Sequence, residues 1–417
     1  MSDDAGMGGV DLSRIKTIDG LDVKGKRVLM RADLNVPVEN GHVADATRIE
    51  RVLPTIEALR SGGAKLVIMS HFGRPKGERS PETSLKPVAA KLQEMLGTRV
   101  SFLDDCVGPD VEAGVNALKD GDVALLENLR YHKGETANDA GFAKQLAALG
   151  DIYVDDAFSC AHRAHASVEA ITHLLPSYAG KSMMAEIEAL ASALHNPKRP
   201  VMAIVGGAKV STKIDVLTNL VQRMNVVVVG GGMANTFLYA QGVDIGNSLC
   251  EPDLEDIALD IIDKAKVSGC EIMLPVDQVV AKELAPGAET VVCDTGTVPA
   301  GMMILDVGPK SIARLKEKLG EMATLLWNGP LGAFEITPFG EGTFALAREA
   351  GRLSKDGKLI TIAGGGDTVR ALNTTGAAPD FTYISTAGGA FLEWLAGEQL
   401  PGVVALAGGD TKHSAVA

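Results

Sequence analysis

Four short runs of aliphatic and β-branched residues punctuate the first half of the chain: KRVLMR (26–31), KLVIMS (65–70), DVALLE (122–127) and DIYVDD (151–156). Four more follow in the second half: VMAIV (201–205), NVVVV (225–229), KLITIA (358–363) and DFTYIST (380–386). Each leads through a short polar or glycine-rich stretch into a helical pattern. Near-continuous apolar strands alternating with helices predict parallel sheets covered by helices on both faces. The expected fold class is therefore α/β, with two doubly wound parallel-sheet, Rossmann-like domains. At 417 residues and 46% hydrophobic content the chain is long enough for two such cores.

Ligands of open α/β sheets bind at the carboxyl ends of the strands, and those exits differ between the halves. In the first half they read ADLNVP, HFGRP, NLRYHKG and AFSCAHRAH, rich in Arg and His. Twelve of the seventeen arginines lie in residues 1–200, while Lys divides twelve to eleven. The guanidinium fork suits carboxylate and phosphate oxygens, so the first half is built to grip a small anion.

In the second half the exits read GGAKVSTK, GGGMANTF, GGGDTVRAL and AGGAFLEWL. None matches G-x-x-x-x-G-K-[ST] or G-x-G-x-x-G, which argues against a P-loop enzyme and a dinucleotide-linked oxidoreductase. Glycine at a helix entrance lets backbone N–H groups and the helix dipole meet an anion, and it also serves simply to make tight turns. Lys209 and Lys213, four apart, are expected on one face of the helix that GGAKVSTK opens. Asp367 fits either a helix N-cap, the commoner role, or a Mg²⁺ ligand beside phosphates.

The segment SMMAEIEALASALHNPKRP (182–200) has helical spacing and ends in two prolines, predicting a connecting helix and hinge. The expected division is a first domain over 1–180, a hinge helix and linker over 181–200 and a second domain over 201–403. A formal net charge of −13 repels polyanions, so no nucleic-acid partner is expected. Five cysteines without a C-x-x-C pair read as reduced thiols. The acidic start MSDDAGMGGVDLS lacks the features of a signal peptide, and no apolar run approaches the length of a membrane span. A cytoplasmic monomer with no membrane partner is expected.

The stretch DDAFSCAHRAHAS (155–167) gathers two carboxylates, a cysteine, two histidines and an arginine. From residue types it could be a metal site, a nucleophile with its base, or something else. A Cys/His zinc site wants four defined ligands, and no second pair with zinc-finger spacing occurs.

RADLNVP, SHFGRP, LLENLRYH, DAFSCAHRAHAS, GGAKVSTKI, GGGMANTF, LPVD, WNGPLGAFE, GGGDT and STAGGAFLEWLAG occur in that order. Together they resemble the phosphoglycerate kinase family, from about residue 20 to residue 403. The resemblance implies reversible phosphoryl transfer between 1,3-bisphosphoglycerate with ADP and 3-phosphoglycerate with ATP, with Mg²⁺ accompanying the nucleotide and closure of two lobes. It implies that Asp33, Asn35, Arg48, His71, Phe72, Gly73, Arg74, Arg130 and Arg163 hold the glycerate. Lys209, Lys213, Gly231, Asn328, Glu335, Gly364, Gly365, Gly366, Asp367 and Thr368 would hold the nucleotide, with Asp367 on the metal. Residues 404–417 would pack back on the first lobe.

In one direction the nucleophile is a carboxylate already ionised at neutral pH, so no general base is needed. Catalysis then reduces to in-line positioning and charge neutralisation, assigned to Arg48, Lys209 and the backbone N–H groups near Gly366 and Gly388. Four positions depart from residues frequent in the family: Asp155 for Asn, Cys160 for Thr or another small residue, Thr212 for Asp and Phe391 for Ser. The alternative is a non-catalytic nucleotide- and anion-binding α/β protein, which would keep the glycine loops but could lose the Arg set.

Overall fold

A computed structural model describes residues 10–195 and 197–409. The chain divides into two compact units: one runs up to Glu188 and takes up the chain again from Gln399, and the other spans Ala189–Glu398.

The first unit is built on six parallel strands: β1 (Arg27–Ala32), β4 (Lys65–Met69), β5 (Val100–Leu103), β6 (Val123–Leu126), β7 (Ile152–Asp156) and β8 (Ser177–Ala179). They lie in the order β5-β6-β4-β1-β7-β8. A small antiparallel ribbon, β2 (Val38–Glu39) with β3 (His42–Val43), turns through Asn40 and Gly41, both at positive φ, as a tight hairpin requires. Helices α1 (Thr47–Ser61), α2 (Lys86–Leu96), α3 (Pro109–Asn116), α4 (Lys133–Thr136), α5 (Ala140–Ala147) and α6 (Lys181–Leu194) fill the connections. Val28 and Met30 of β1 enter a core with Ile49 and Ile56 of α1, while Leu29 between them enters the opposite core with Leu146 of α5. Strand residues alternate faces, and both faces are covered; this is why the strands read as unbroken apolar runs.

The second unit carries a parallel sheet of β9 (Val201–Val205), β10 (Val226–Val229), β11 (Glu271–Met273), β15 (Thr324–Asn328), β16 (Ile360–Ala363) and β17 (Tyr383–Ile384). Its order is β11-β10-β9-β15-β16-β17. Between β11 and β15 the chain makes a separate antiparallel sheet, β13 (Val291–Asp294) on β12 (Asp277–Ala281) on β14 (Met303–Val307). Helices α7 (Ile214–Val221), α8 (Gly232–Ala240), α9 (Glu255–Ser268), α10 (Pro309–Gly320), α11 (Glu341–Lys355), α12 (Gly366–Thr375) and α13 (Gly389–Leu395) cover this unit.

Helix α14 (Pro401–Leu406) belongs with the first unit, where the Gly402 N–H donates to the Ala161 carbonyl at 2.8 Å. Residues 410–417 lie outside the described residues. The unit boundary at Glu188 falls inside α6. The first turn of that helix is held by buried groups: the Asp156 carboxylate accepts from the Met183 N–H, and the Thr55 hydroxyl from the Lys181 N–H, each at 2.9 Å. No helix among the described residues is long and apolar enough to cross a membrane.

In each sheet the first strand in the chain lies inside the sheet, and the connections on its two sides run in opposite directions. In the first unit this reversal falls at the β1–β7 junction, in the second at β9–β15. A crevice opens at the carboxyl ends of strands at such a reversal.

Candidate active site

The first-unit exits meet around that reversal. Asp33 leaves β1 and receives Nη1 of Arg48, on the first turn of α1, at 2.6 Å. Asn35 accepts the Gly73 N–H on its side-chain oxygen at 2.9 Å and Arg48 Nη1 on its carbonyl at 3.2 Å. Gly73 has φ +59°, which the turn after β4 requires. Its carbonyl accepts from Arg130 Nη1 at 2.8 Å. Asn128, at the end of β6, accepts the Phe72 N–H and donates to the Phe72 carbonyl. The structure therefore brings Asp33, Asn35, Arg48, Phe72, Gly73 and Arg130 into one bonded cluster. Arg74 and Arg163 are exposed on its loops, and among the described residues neither guanidinium has a hydrogen-bond or ion-pair partner.

The histidines here are neutral. Burial, reinforced by Arg31 and its neighbours, pushes His71 well below the usual range and His165 down to about 3. His162 is lowered as well, by burial and then Arg163. Arg31 Nη2 lies 3.0 Å from His71 Nδ1. A guanidinium only donates, so Nδ1 accepts and the ring proton sits on Nε2. His71 can then offer a hydrogen bond to an anion but no charge.

Asp33, His71 and Cys160 place one ligand atom each within 4.8 Å of one another. The Arg31 guanidinium already occupies that cluster, 3.0 Å from His71 Nδ1 and 3.5 Å from Cys160 Sγ. A second cation there would face a fixed positive charge, and burial raises the Cys160 thiol to about 11. Both features argue against a metal centre and a thiolate nucleophile at this cluster.

The second-unit exits interlock through backbone. A Cβ on Gly206 would lie 1.8 Å from the Pro330 carbonyl oxygen, one on Gly329 2.1 Å from that of Gly206, and one on Gly231 2.7 Å from that of Gly207. The glycines of three loops are thus required by backbone-to-backbone contact, a role that neither the anion reading nor the turn reading had given them. Asn328 ties these loops to the next, donating to the Gly364 carbonyl at 2.9 Å and accepting Lys213 Nζ at 2.5 Å.

Two expectations are corrected here, the shared helix face of Lys209 and Lys213 and the N-cap role of Asp367. Lys209 and Lys213 do not share a helix face. Residues 210–212 form a 3₁₀ turn and α7 starts at Ile214. The N–H and hydroxyl of Ser211 are taken by Glu251 at 3.0 and 2.6 Å, which holds this segment out of the helix. Lys209 stands exposed. Lys213 is mostly buried, with its ammonium on Gly206 and Asn328 and its pKa lowered by burial to about 8. Asp367 is not an N-cap: Gly365 holds that position, and the Asp367 carboxylate meets Arg370 at 3.2 Å. Thr368 is buried and accepts the Gly329 N–H at 2.7 Å, so its hydroxyl holds a loop. Phe391 is fully buried behind Gly364, whose Cβ would collide with its ring. Gly366 opens α12 and Gly388 is the N-cap of α13; a Cβ on either would meet open space.

A cavity of about 340 Å³ opens over these loops, with Gly207, Gly231 and Gly232 on one side and Leu249, Leu284 and Leu331 among its apolar lining. Glu335 and Asp367 also line it, bridged by Arg370 at 2.7 and 3.2 Å. Asp306 borders the same cavity, pushed up to about 7 by burial and accepting the Val307 and Gly342 N–H groups at 2.9 Å. Sequence reasoning missed Arg370, Asp306 and the apolar wall, since nothing in their local patterns marks them. It also missed Arg31, Glu135 and Ser167; for Arg31 a signal existed, a charge inside the apolar run KRVLMR.

The phosphoglycerate kinase family model matches residues 18–398. The phosphoglycerate kinase of Caulobacter vibrioides (strain NA1000 / CB15N) is 58% identical over 391 residues, 94% of this chain and 99% of that protein. That of Rhizobium meliloti (strain 1021) is 59% identical over 389 residues, 93% and 98% of the two chains. Among solved structures, phosphoglycerate kinase from Coxiella burnetii superposes with a TM-score of 0.88 at 41% identity, covering 94% of this chain and 98% of that one. With full-length relatives agreeing in sequence and in fold, the chain belongs to the phosphoglycerate kinase family.

Proposed function

We propose the following division of labour for the phosphoglycerate kinase reaction that this chain catalyses. The first unit binds 3-phosphoglycerate through Arg74, Arg130 and Arg163, with Arg48 oriented by Asp33 and Asn35. The second unit binds ATP or ADP in the cavity over its glycine loops, the base against the apolar wall and the ribose and phosphates toward Glu335 and Asp367. The observation that carries this reading is the contrast between two reversal points in one chain, one lined by Arg and the other by glycine backbone and an apolar cavity.

The attacking carboxylate of 3-phosphoglycerate is ionised at neutral pH, and His165, at about 3, is no base there. The work left is alignment and charge neutralisation. Lys209, exposed and without a hydrogen-bond partner among the described residues, is the ammonium available to a moving phosphoryl group. Lys213 is committed to three acceptors and holds the loops in register. Substrates carried by separate units react only when brought together away from water, so turnover includes a closed state.

Mg²⁺ fits the donors present. The Asp367 carboxylate is 60% exposed, lines the cavity and among the described residues is shared only with Arg370, and Mg²⁺ favours one or two carboxylates alongside substrate phosphates. Asp367 would hold it, and with nucleotide bound the ion would neutralise phosphate charge. The free cysteines and the net charge of −13 suit a soluble monomer in a reducing cytoplasm.

Phosphoryl exchange between ATP and 3-phosphoglycerate tests the assignment. Turnover that needs both substrates and Mg²⁺ is expected; nucleotide binding without exchange would instead establish a non-catalytic binding protein.

A further inference from the structure

Beneath the glycerate cluster lies a fully buried chain of side chains that the reaction described above does not use. Glu135, in the short helix α4, is 0% exposed. Its carboxylate accepts the Ser167 N–H at 3.0 Å and the Ser167 hydroxyl at 2.6 Å. The Ser167 oxygen in turn accepts Arg31 Nε at 3.0 Å. Arg31, 1% exposed, reaches His71 Nδ1 with Nη2 at 3.0 Å and the Ala32 carbonyl with Nη1 at 2.5 Å. Tyr153 fixes Ser167 from behind, its hydroxyl donating to the Ser167 carbonyl at 2.7 Å.

A buried guanidinium is costly unless it is paired and its geometry fixed. Arg31 has no carboxylate within ion-pair distance among the described residues, and its hydrogen-bonded link to the Glu135 carboxylate runs through the Ser167 hydroxyl. The direction of each bond is forced. A carboxylate accepts, so Ser167 must spend its single proton on Glu135; its oxygen is then free only to accept, and Arg31 supplies the donor. The same logic carries on to the imidazole, which must accept at Nδ1 and keep its proton at Nε2.

We propose that Glu135 and Ser167 are positioning residues for glycerate binding: through Arg31 they fix the tautomer and orientation of His71, and so present its Nε2–H to the substrate anion. The chain of bonds also joins α4 to the loop carrying Arg163, because the Glu135 carbonyl accepts the Ala166 N–H at 2.9 Å. The inference rests on reading the first-unit exits as the glycerate site.

The test is Ser167→Ala, which removes the bridging hydroxyl with little change in volume, with Glu135→Gln answering the same question should that variant not fold. The Michaelis constant for 3-phosphoglycerate should rise about tenfold, the scale of one charge-assisted hydrogen bond, while that for ATP stays within about twofold. Nitrogen NMR of the His71 ring should show Nε2–H alone in the wild type and a mixture of tautomers in the variant. Unchanged glycerate kinetics with an unchanged ring signal would overturn the proposal, as would equal losses for both substrates, which mark a general packing defect. Arg163→Ala separates the two levels of inference. If it weakens glycerate binding while Ser167→Ala does not, the site stands and the relay alone falls; a wild type without phosphoryl exchange removes the underlying reading first.

Discussion

Lys209 and Lys213 carry the same charge four residues apart and meet opposite surroundings. The first is exposed and without a hydrogen-bond partner among the described residues; the second is saturated by Gly206 and Asn328. Only a group free in the resting enzyme can bind more strongly as charge moves, and only such differential binding accelerates the step. Lys209→Ala should therefore lower kcat by roughly 10²–10³ while changing the KM for ATP little, as for one removed electrostatic donor. Lys209→Arg should rescue poorly, because a planar fork does not replace a compact ammonium. A large rise in KM with kcat intact would make Lys209 a ground-state binder. Cys160 gives a second prediction. With Arg31 already at 3.5 Å and the thiol raised to about 11, Cys160→Thr should keep activity, and the purified protein should carry no stoichiometric zinc. One zinc per chain, lost on that substitution, contradicts it. At this scale the sequence showed which residue types gather but not which are free: spacing alone made the two lysines equivalent, and a distant carboxylate, Glu251, separates them.

At the scale of elements, all eight apolar runs quoted from the sequence form strands of the two parallel sheets, because burial on both faces leaves an uninterrupted apolar signature. The antiparallel sheet escaped notice for the complementary reason. Its edge strand β13 leaves Val291 and Val292 at 38% and 54% exposure, so it has neither a continuous run nor a clean alternation. Strand β15 was legible only as part of the WNGPLGAFE motif, and β5 and β8 are too short to announce themselves. The glycine loops were legible as helix entrances, but their interlocking depends on three loops far apart in sequence. That contact makes a sharp prediction. Gly206→Ala would place a methyl group 1.8 Å from the Pro330 carbonyl oxygen, where only backbone can move. It should cost about 3 kcal/mol or more, at the upper end of overpacking, and weaken nucleotide binding. Gly366→Ala meets open space at the first position of α12 and should change stability by no more than about 0.5 kcal/mol. Thermal unfolding of the two variants, together with ATP titration, checks the contrast; equal losses would mean that loop contact does not set the cost.

The whole molecule carries a set of buried titrating groups whose effects oppose one another. Burial pushes Asp155, Asp156 and Asp306 up to about 7, 6 and 7. A carboxyl raised on folding binds more protons in the folded chain than in the unfolded one. Its contribution is therefore complete below the ordinary carboxyl pKa and is lost as pH rises through the folded value. His165, lowered to about 3, acts in the other sense: between its folded value and the ordinary 6.5 the unfolded chain takes up the proton, so stability is gained as pH rises. Lys213, at about 8, adds a similar gain between there and 10.5. The net curve mixes these terms, but one substitution isolates the first. Asp155 is fully buried, sits opposite Arg31 in the β1–β7 backbone register, and has one carboxylate oxygen on the Ala157 N–H and the other without a hydrogen bond among the described residues. Asp155→Asn removes its titration and leaves the others in place. Each pKa unit is worth about 1.4 kcal/mol. The stability of the wild type relative to the variant should therefore fall by roughly 2–3 kcal/mol between about pH 5 and pH 8, most of it before pH 7. Urea unfolding of both proteins at the two pH values measures this difference directly. Parallel behaviour would mean that Asp155 titrates alike in the folded and unfolded chains, and that burial in β7 does not set its proton affinity.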